Sequence, residues 1–253
     1  MQSKTAVAPP DFYDFYSKNF GYKLIYVIRR LLVRKFDNYI CGSLKAKETL
    51  NFWGVAAEKI KIIPNPIMAP ETRNAFEARR RNVLLASRLI PIKNISRTSD
   101  ILKLIGVNCD IYGSGPQLQE LKKSFGDNCK FLGHQPIEKL LSELDHYKFF
   151  ISLSVSEESP NALLDAMSRG VVPIVSKIPA HLEIVSNISN SLAVDLSLSD
   201  EKIASHIGSL LSLSKQEWEI LSASCVAYVN HNHDPDKFLN NIREDILDCN
   251  DGQ

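Results

Sequence analysis

The sequence predicts an α/β fold with a doubly wound parallel sheet, and three observations predict it. Short apolar runs rich in β-branched and aromatic residues recur along the middle of the chain, each the length of a buried strand. Segments of helical period separate them, and that alternation implies parallel pairing through right-handed crossovers. Some runs end in turn-forming residues, as in Tyr112-Gly-Ser-Gly-Pro116 and Phe131-Leu-Gly-His-Gln-Pro136.

From the N-terminus, residues 1 to about 20 are turn-rich and aromatic and carry no clear period. From Tyr22 to Phe36, Leu24, Ile28, Leu31 and Leu32 follow helical spacing while Lys23, Arg30 and Arg34 gather on another side. The stretch Lys18 to Phe36 is basic and free of acids, so this amphipathic helix either packs with a solvated basic face or touches anionic lipid. Asn38 to Cys41 reads as a strand, Ser43 as an N-cap, and LKAKETLNFW as a helix ending at Gly54. IKIIPNPI, Ile60 to Ile67, is a strand halted by prolines, and the polar residues 70–82 suit a linker.

The regular region follows. NVLLAS, CDIYGSG, CKFLG, KFFISLS and VVPIVS are strands, and the spacing predicts helices over Ile95–Ile105, Pro116–Phe125, Ile137–His146 and Pro160–Arg169. The C-terminal part, from Asp200 to about Leu213 and from Lys215 to Leu247, is helical and broken near HNHDPD. The expected division is residues 1–66, a ligand-binding α/β domain over 67–230, and a C-terminal helix over 231–253.

Composition narrows the function. At 253 residues, 44% hydrophobic and 23% charged, the chain can bury a sizeable core. A formal charge of +1 argues against whole-protein attraction to nucleic acid. Cys41, Cys109, Cys129, Cys225 and Cys249 are odd in number and show no CxxC pair, which suits reduced thiols rather than a disulfide framework or zinc site. No apolar signal core opens the chain and no run approaches the roughly 18 apolar residues of a membrane span. A cytoplasmic location is expected.

In an open parallel sheet the ligand crevice lies beyond the carboxyl ends of the strands, and four loops there carry suggestive chemistry. In ASRLIPIKN, Arg88 and Lys93 suit a diphosphate, one as a fork and one as a point charge, although such loop cations are commonly just solvated. In Tyr112-Gly-Ser-Gly-Pro116, Gly113 and Gly115 let backbone N–H groups come close to a ligand, but the full GxGxxG spacing is absent. The turn in Phe131-Leu-Gly-His-Gln-Pro136 could present backbone groups to a planar base, with His134 readable as an ordinary surface histidine.

The fourth loop is SEESPNALLDAMSRG, Ser156 to Gly170. Ser159 as N-cap and Pro160 as first helical residue would start a helix there and point its free N–H groups at the crevice, where an anion is favoured. Glu157 precedes this helix, and Asp165 lies about 7.5 Å along its axis from Pro160, so two carboxylates could engage two parts of one extended ligand. Glu158 is an alternative to Glu157. The plainer reading is that the glutamates favour the helix N-terminus by charge while Asp165 is solvated.

In order and spacing these motifs resemble the retaining glycosyltransferases of the large GT4-like group with the GT-B fold. EESPNALLDAMSRGVVPIV, Glu157 to Val175, resembles their EGxPNVLLEAMAxGxPVV signature nearly residue for residue. ASRLIPIKN resembles their G-R-L-x-x-x-K loop, DIYGSGPQLQELKK their G-x-G-P segment, FLGHQP their F-L-G turn, and KIIPNPI the segment ending in P-N-G that leads into the second domain.

The resemblance implies a Rossmann-like donor domain preceded by part of an acceptor-side domain, with no cofactor beyond the nucleotide-sugar substrate and no bound metal. Arg88 and Lys93 would bind the diphosphate, Glu157 the transferred sugar, and Asp165 the ribose diol. Backbone of Ser159, Pro160, Asn161 and Ala162 would cap the phosphates, Gly113 and Gly115 would line the site, and Gly133, His134 and Gln135 would border the base. The family's second acid is usually Glu, so Asp165 is one methylene shorter. The implied activity is transfer of a hexose from a nucleotide-sugar to a glycan or lipid-linked acceptor, in polysaccharide or lipopolysaccharide synthesis, peripheral to a membrane through residues 18–36. Two other readings compete: a nucleotide-sugar-binding subunit that needs a partner chain for the N-terminal half, and a nucleotide-sugar epimerase.

Overall fold

The computed structural model describes residues 5–7, 33, 35–79, 81–125 and 128–248. The basic segment 18–36 lies outside them except for Val33, Lys35 and Phe36. Internal contacts divide the chain into two units, Ile67–Asn232 and a second made of Met1–Pro66 with His233–Gln253.

In the second unit, β1 (Thr5–Val7), β2 (Asn38–Cys41) and β3 (Ile60–Ile62) form a parallel sheet in that order. Ser43 caps helix α1 (Leu44–Phe52) as predicted, its Oγ accepting from the Ala46 N–H at 3.1 Å, and Gly54, at φ 88°, ends it. Leu50 and Trp53 pack with Tyr39, Cys41 and Ile60.

The polar segment expected to be a linker is tied down at two arginines, Arg73 and Arg79. Phe76–Ala78 form a short 3-10 turn, and Arg79 is 2% exposed. Its guanidinium donates to the carbonyls of Asn74, Tyr147 and Arg169 at 3.0, 2.7 and 2.5 Å and stacks over Trp218 at 5.2 Å. Arg73 donates to the Ser168 carbonyl at 2.7 Å. A planar fork with five donors can satisfy several carbonyls at once, so a buried arginine here ties the segment to the sheet. Burial lowers the Arg79 pKa to about 10.

The larger unit holds a six-stranded parallel sheet in the order β6-β5-β4-β7-β8-β9. Its strands are β4 (Arg81–Ala86), β5 (Cys109–Tyr112), β6 (Cys129–Gly133), β7 (Tyr147–Ser152), β8 (Val172–Ser176) and β9 (Ala193–Val194). The helices are α2 (Ile95–Leu104), α3 (Leu118–Phe125), α4 (Ile137–Leu144), α5 (Asn161–Ser168), α6 (Pro179–Val185), α7 (Asp200–Leu211) and α8 (Lys215–Asn232). Helix α9 (Pro235–Asp248) follows, and the contacts place its segment with the second unit. There His233 Nδ1 donates to the Asn65 carbonyl at 2.9 Å.

The predicted α/β, doubly wound class is therefore what the chain adopts. The central strands are buried on both faces: Val172, Ile174 and Val175 of β8 and Leu84 and Ile151 beside them are fully enclosed. This is why those runs are continuously apolar rather than alternating. Sequence pattern missed β1, β9 and helix α6, elements of seven residues or fewer in which a period barely develops. The cysteines Cys41, Cys109, Cys129 and Cys225 are free and buried, and burial raises the thiol pKa of the last three.

Candidate functional site

The strand order reverses between β4 and β7, and the crevice outside the carboxyl ends of these two strands is where such sheets bind ligands. Two loops leave the sheet there, residues 87–94 after β4 and 153–160 after β7, and hydrogen bonds clamp them together. The Val155 N–H donates to the Ile92 carbonyl at 2.9 Å, and Asn94 Nδ2 donates to the Leu153 carbonyl at 3.0 Å. Asn94 adopts a left-handed conformation, φ 53°, which a short polar side chain tolerates better than a bulky one. That turn starts α2 and leaves Lys93 facing the β7 loop.

There Lys93 Nζ forms an ion pair with Glu157 Oε1, both side chains being largely buried. Ser154 Oγ donates to the same Oε1 at 2.9 Å. Among the described residues no protein group bonds Oε2 of Glu157. The pair was not anticipated: Lys93 and Glu157 were expected to serve different parts of a ligand.

A cavity of about 420 Å³ opens at the ends of β4 and β5. It brings together the predicted Arg88, Gly113, His134, Gln135 and Ala162, joined by Ala86, Ser87, Tyr112, Ser114, Ile137 and Leu140. Lys93, Gly115, Gly133, Glu157, Ser159, Pro160, Asn161 and Asp165 are outside its lining. Ile137 and Leu140 are three apart on α4 and give the cavity an apolar wall; their helical spacing was visible in the sequence, their direction was not. Gln135 is preset by its own amide, which donates to the Leu132 carbonyl at 2.6 Å.

The glycines of the β5 turn have a role that their sequence did not disclose. A Cβ on Gly113 would lie 1.8 Å from the Ser87 carbonyl oxygen, and one on Gly115 would lie 2.4 Å from that of Leu89. The two loops interlock through backbone bonds, Ser87 N–H to Tyr112 O at 3.0 Å and Leu89 N–H to Ser114 O at 2.9 Å. These glycines permit chain-to-chain contact, and Gly115 is filled from that side rather than facing the cavity.

Helix α5 begins at Asn161 with Pro160 in the cap position, one residue later than predicted. Ser159 precedes the cap position; its Oγ donates to Asn161 Oδ1 at 3.2 Å, and its carbonyl accepts from the Asn161 N–H at 2.9 Å. The hydroxyl joins a local turn with Asn161. Asp165 lies one turn beyond Ala162 on the same helix face. Burial raises its carboxyl to about 6, partly offset by the Arg169 charge. Among the described residues no hydrogen bond or ion pair holds that side chain.

Behind the Glu157 loop lies His181, fully buried on α6 and unmarked by any motif. Desolvation lowers its pKa to about 4, opposed by the Glu157 charge and assisted by that of Lys93. Under the cavity floor, Tyr147 donates to Asp110 Oδ2 at 2.5 Å and its Oη lies 3.3 Å from that of Tyr112. Burial raises the Tyr147 phenol far above its usual range.

Among the described residues no helix is long and apolar enough to cross a membrane. The family model described as "Glycosyl transferases group 1" matches residues 71–223, more than half of the chain. Comparison with curated protein sequences finds no match. Solved structures do match in fold. A TarM mutant from S. aureus, in complex with Fondaparinux, alpha-GlcNAc-glycerol and UDP, superposes with a TM-score of 0.75 at 17% identity, over 94% of this chain and 49% of that one. The pneumococcal O-GlcNAc transferase GtfA with UDP and GlcNAc gives 0.72 at 18% identity, over 97% and 52%. Alr3699/HepE from Anabaena with UDP-glucose gives 0.72 at 19% identity, over 88% and 67%. The chain spans about half the length of the first two.

Proposed function

The chain belongs to the group 1 glycosyl transferases, and from that premise we propose that it transfers a hexose from a nucleotide-sugar donor to a glycan or lipid-linked acceptor with retention at the anomeric carbon. The observation that carries this reading is the convergence at one sheet switch point of the cavity bearing Arg88 and the start of α5 with the Lys93–Glu157 pair.

In this reading the base lies against the Gly133–Gln135 turn, with Ile137 and Leu140 as its apolar wall. The Asp165 carboxylate accepts from the ribose diol. Burial raises the Asp165 carboxyl, and among the described residues no hydrogen bond or ion pair holds it, which supports this role. The diphosphate sits between Arg88, Lys93 and the N–H groups that open α5, which stabilise the charge released as the sugar departs. Glu157 Oε1 is held by Lys93 and Ser154, which leaves Oε2 for a hydroxyl of the transferred sugar. Gly113 shapes the cavity wall and Gly115 holds that wall to the neighbouring loop.

Thermal-shift titration tests the donor site. UDP and UDP-sugars should raise the melting temperature of the wild-type protein; Arg88→Ala and Lys93→Ala should diminish both shifts, and Glu157→Gln that given by UDP-sugars. Equal melting temperatures with and without ligand in all four proteins would refute it. NMR of the products separates transfer from epimerisation. Location at the inner face of a membrane, through basic residues 18–36, belongs to the same proposal, and failure to sediment with anionic liposomes at low salt counts against it.

A further inference from the structure

Glu157 sits in an irregular loop where no strand ladder fixes the backbone, so its carboxylate depends on side-chain contacts. Those contacts run inward. Ser154 Oγ gives its proton to Glu157 Oε1 at 2.9 Å, and Ser152 Oγ, 3.1 Å away, must then donate to Ser154. The Ser154 carbonyl accepts from Ser176 Oγ at 2.5 Å. Ser176 Oγ and the Ser176 carbonyl each lie 3.1 Å from His181 Nδ1.

The proton count along this chain is determined. Ser176 has one hydroxyl proton and it is used on Ser154, so toward His181 its oxygen can only accept. The Ser176 carbonyl can only accept as well. Both contacts therefore require the hydrogen on Nδ1, and Nε2 is left as a bare, buried nitrogen with no partner among the described residues. An apolar side chain of similar volume would avoid that unsatisfied lone pair, so packing alone does not account for a histidine here.

We propose that His181 is a positioning residue for the donor site, its Nδ1–H anchoring a buried chain through Ser176 and Ser154 that holds Glu157 beside Lys93 with Oε2 turned to the sugar. This rests on the nucleotide-sugar reading of the site. Ser154, Ser176 and His181 are all at most 1% exposed, so water does not compete for these bonds. The depressed pKa keeps the imidazole neutral, and adds no second cation next to Lys93.

Two measurements test it. Imidazole ¹⁵N NMR should show His181 protonated at Nδ1; protonation at Nε2 overturns the relay whatever the ligand does. Calorimetry with UDP and UDP-glucose then gives the ratio of their affinities. Glu157→Gln should lower the UDP-glucose preference about tenfold, the loss of one hydrogen bond to a charged group. Ser176→Ala and His181→Phe should lower it similarly while UDP itself binds as in wild type. His181→Asn, whose amide nitrogen replaces Nδ1–H, should keep the wild-type ratio. An unchanged ratio in Ser176→Ala, or His181→Asn as impaired as His181→Phe, overturns the proposal. UDP failing to bind the wild-type protein overturns instead the donor-site reading, with the tautomer still reporting on the relay.

Discussion

Replacing Asp165 by Asn should move binding and stability in opposite directions. In the folded protein its carboxyl ionises at about 6 instead of 3.8. Below its unfolded pKa the group is protonated in both states and costs nothing. As pH rises through the folded value the buried group must ionise, and the native state carries the full penalty. By linkage that penalty is about 3 kcal/mol at pH near 7, an upper figure, so Asp165→Asn should be the more stable protein there. Binding has the reverse sign if the ribose needs the ionised form. With a pKa of about 6, the competent fraction falls from roughly nine tenths at pH about 7 to roughly one tenth at pH about 5, and the apparent Kd rises about tenfold. UDP-glucose is the right probe, because its diphosphate diester does not titrate in this range. Calorimetry at both pH values should give that tenfold change in wild type and a weak, flat profile in Asp165→Asn. An equal pH dependence in the two proteins would refute the assignment of Asp165 to the ribose.

Other outcomes follow from the same geometry. His181 resists protonation down to about 4 against 6.5 in the unfolded chain, so stability falls as pH drops through that window. Its contribution between pH about 7 and 5 is about 2 kcal/mol, and the difference between wild type and His181→Asn in urea titrations should show it. Gly115→Ala, with Leu89 backbone atoms 2.4 and 2.8 Å from the new methyl, should lose roughly 3 kcal/mol. Gly106→Ala is the control: its φ is 65° but nothing lies within 4 Å, so only backbone strain of about 1–2 kcal/mol applies. Similar denaturation midpoints for the two would show that close approach is not what glycine provides at 115. Arg79→Met should lose roughly 3 kcal/mol, since three carbonyls lose their donor; a midpoint like wild type's would mean that these three bonds do not hold the segment to the sheet.

What the sequence determined by itself is the longer elements and which residue types stand at the strand ends. Buried parallel strands must be apolar throughout and helices must repeat every 3.6 residues, so NVLLAS, KFFISLS and VVPIVS announce themselves locally. Residues next to one another in a loop, such as His134 and Gln135, were also legible, because a turn carries its neighbours together. Only the tertiary structure decided which side chains meet across loops. Lys93 finds Glu157 because Asn94 bends the chain back against β7, and His181 lies behind them because β8 runs alongside. Arg79 looks solvated by composition and is buried because three carbonyls converge on it. Such contacts join residues tens of positions apart, and their strength depends on shared burial, a property of the folded sheet that no single segment carries.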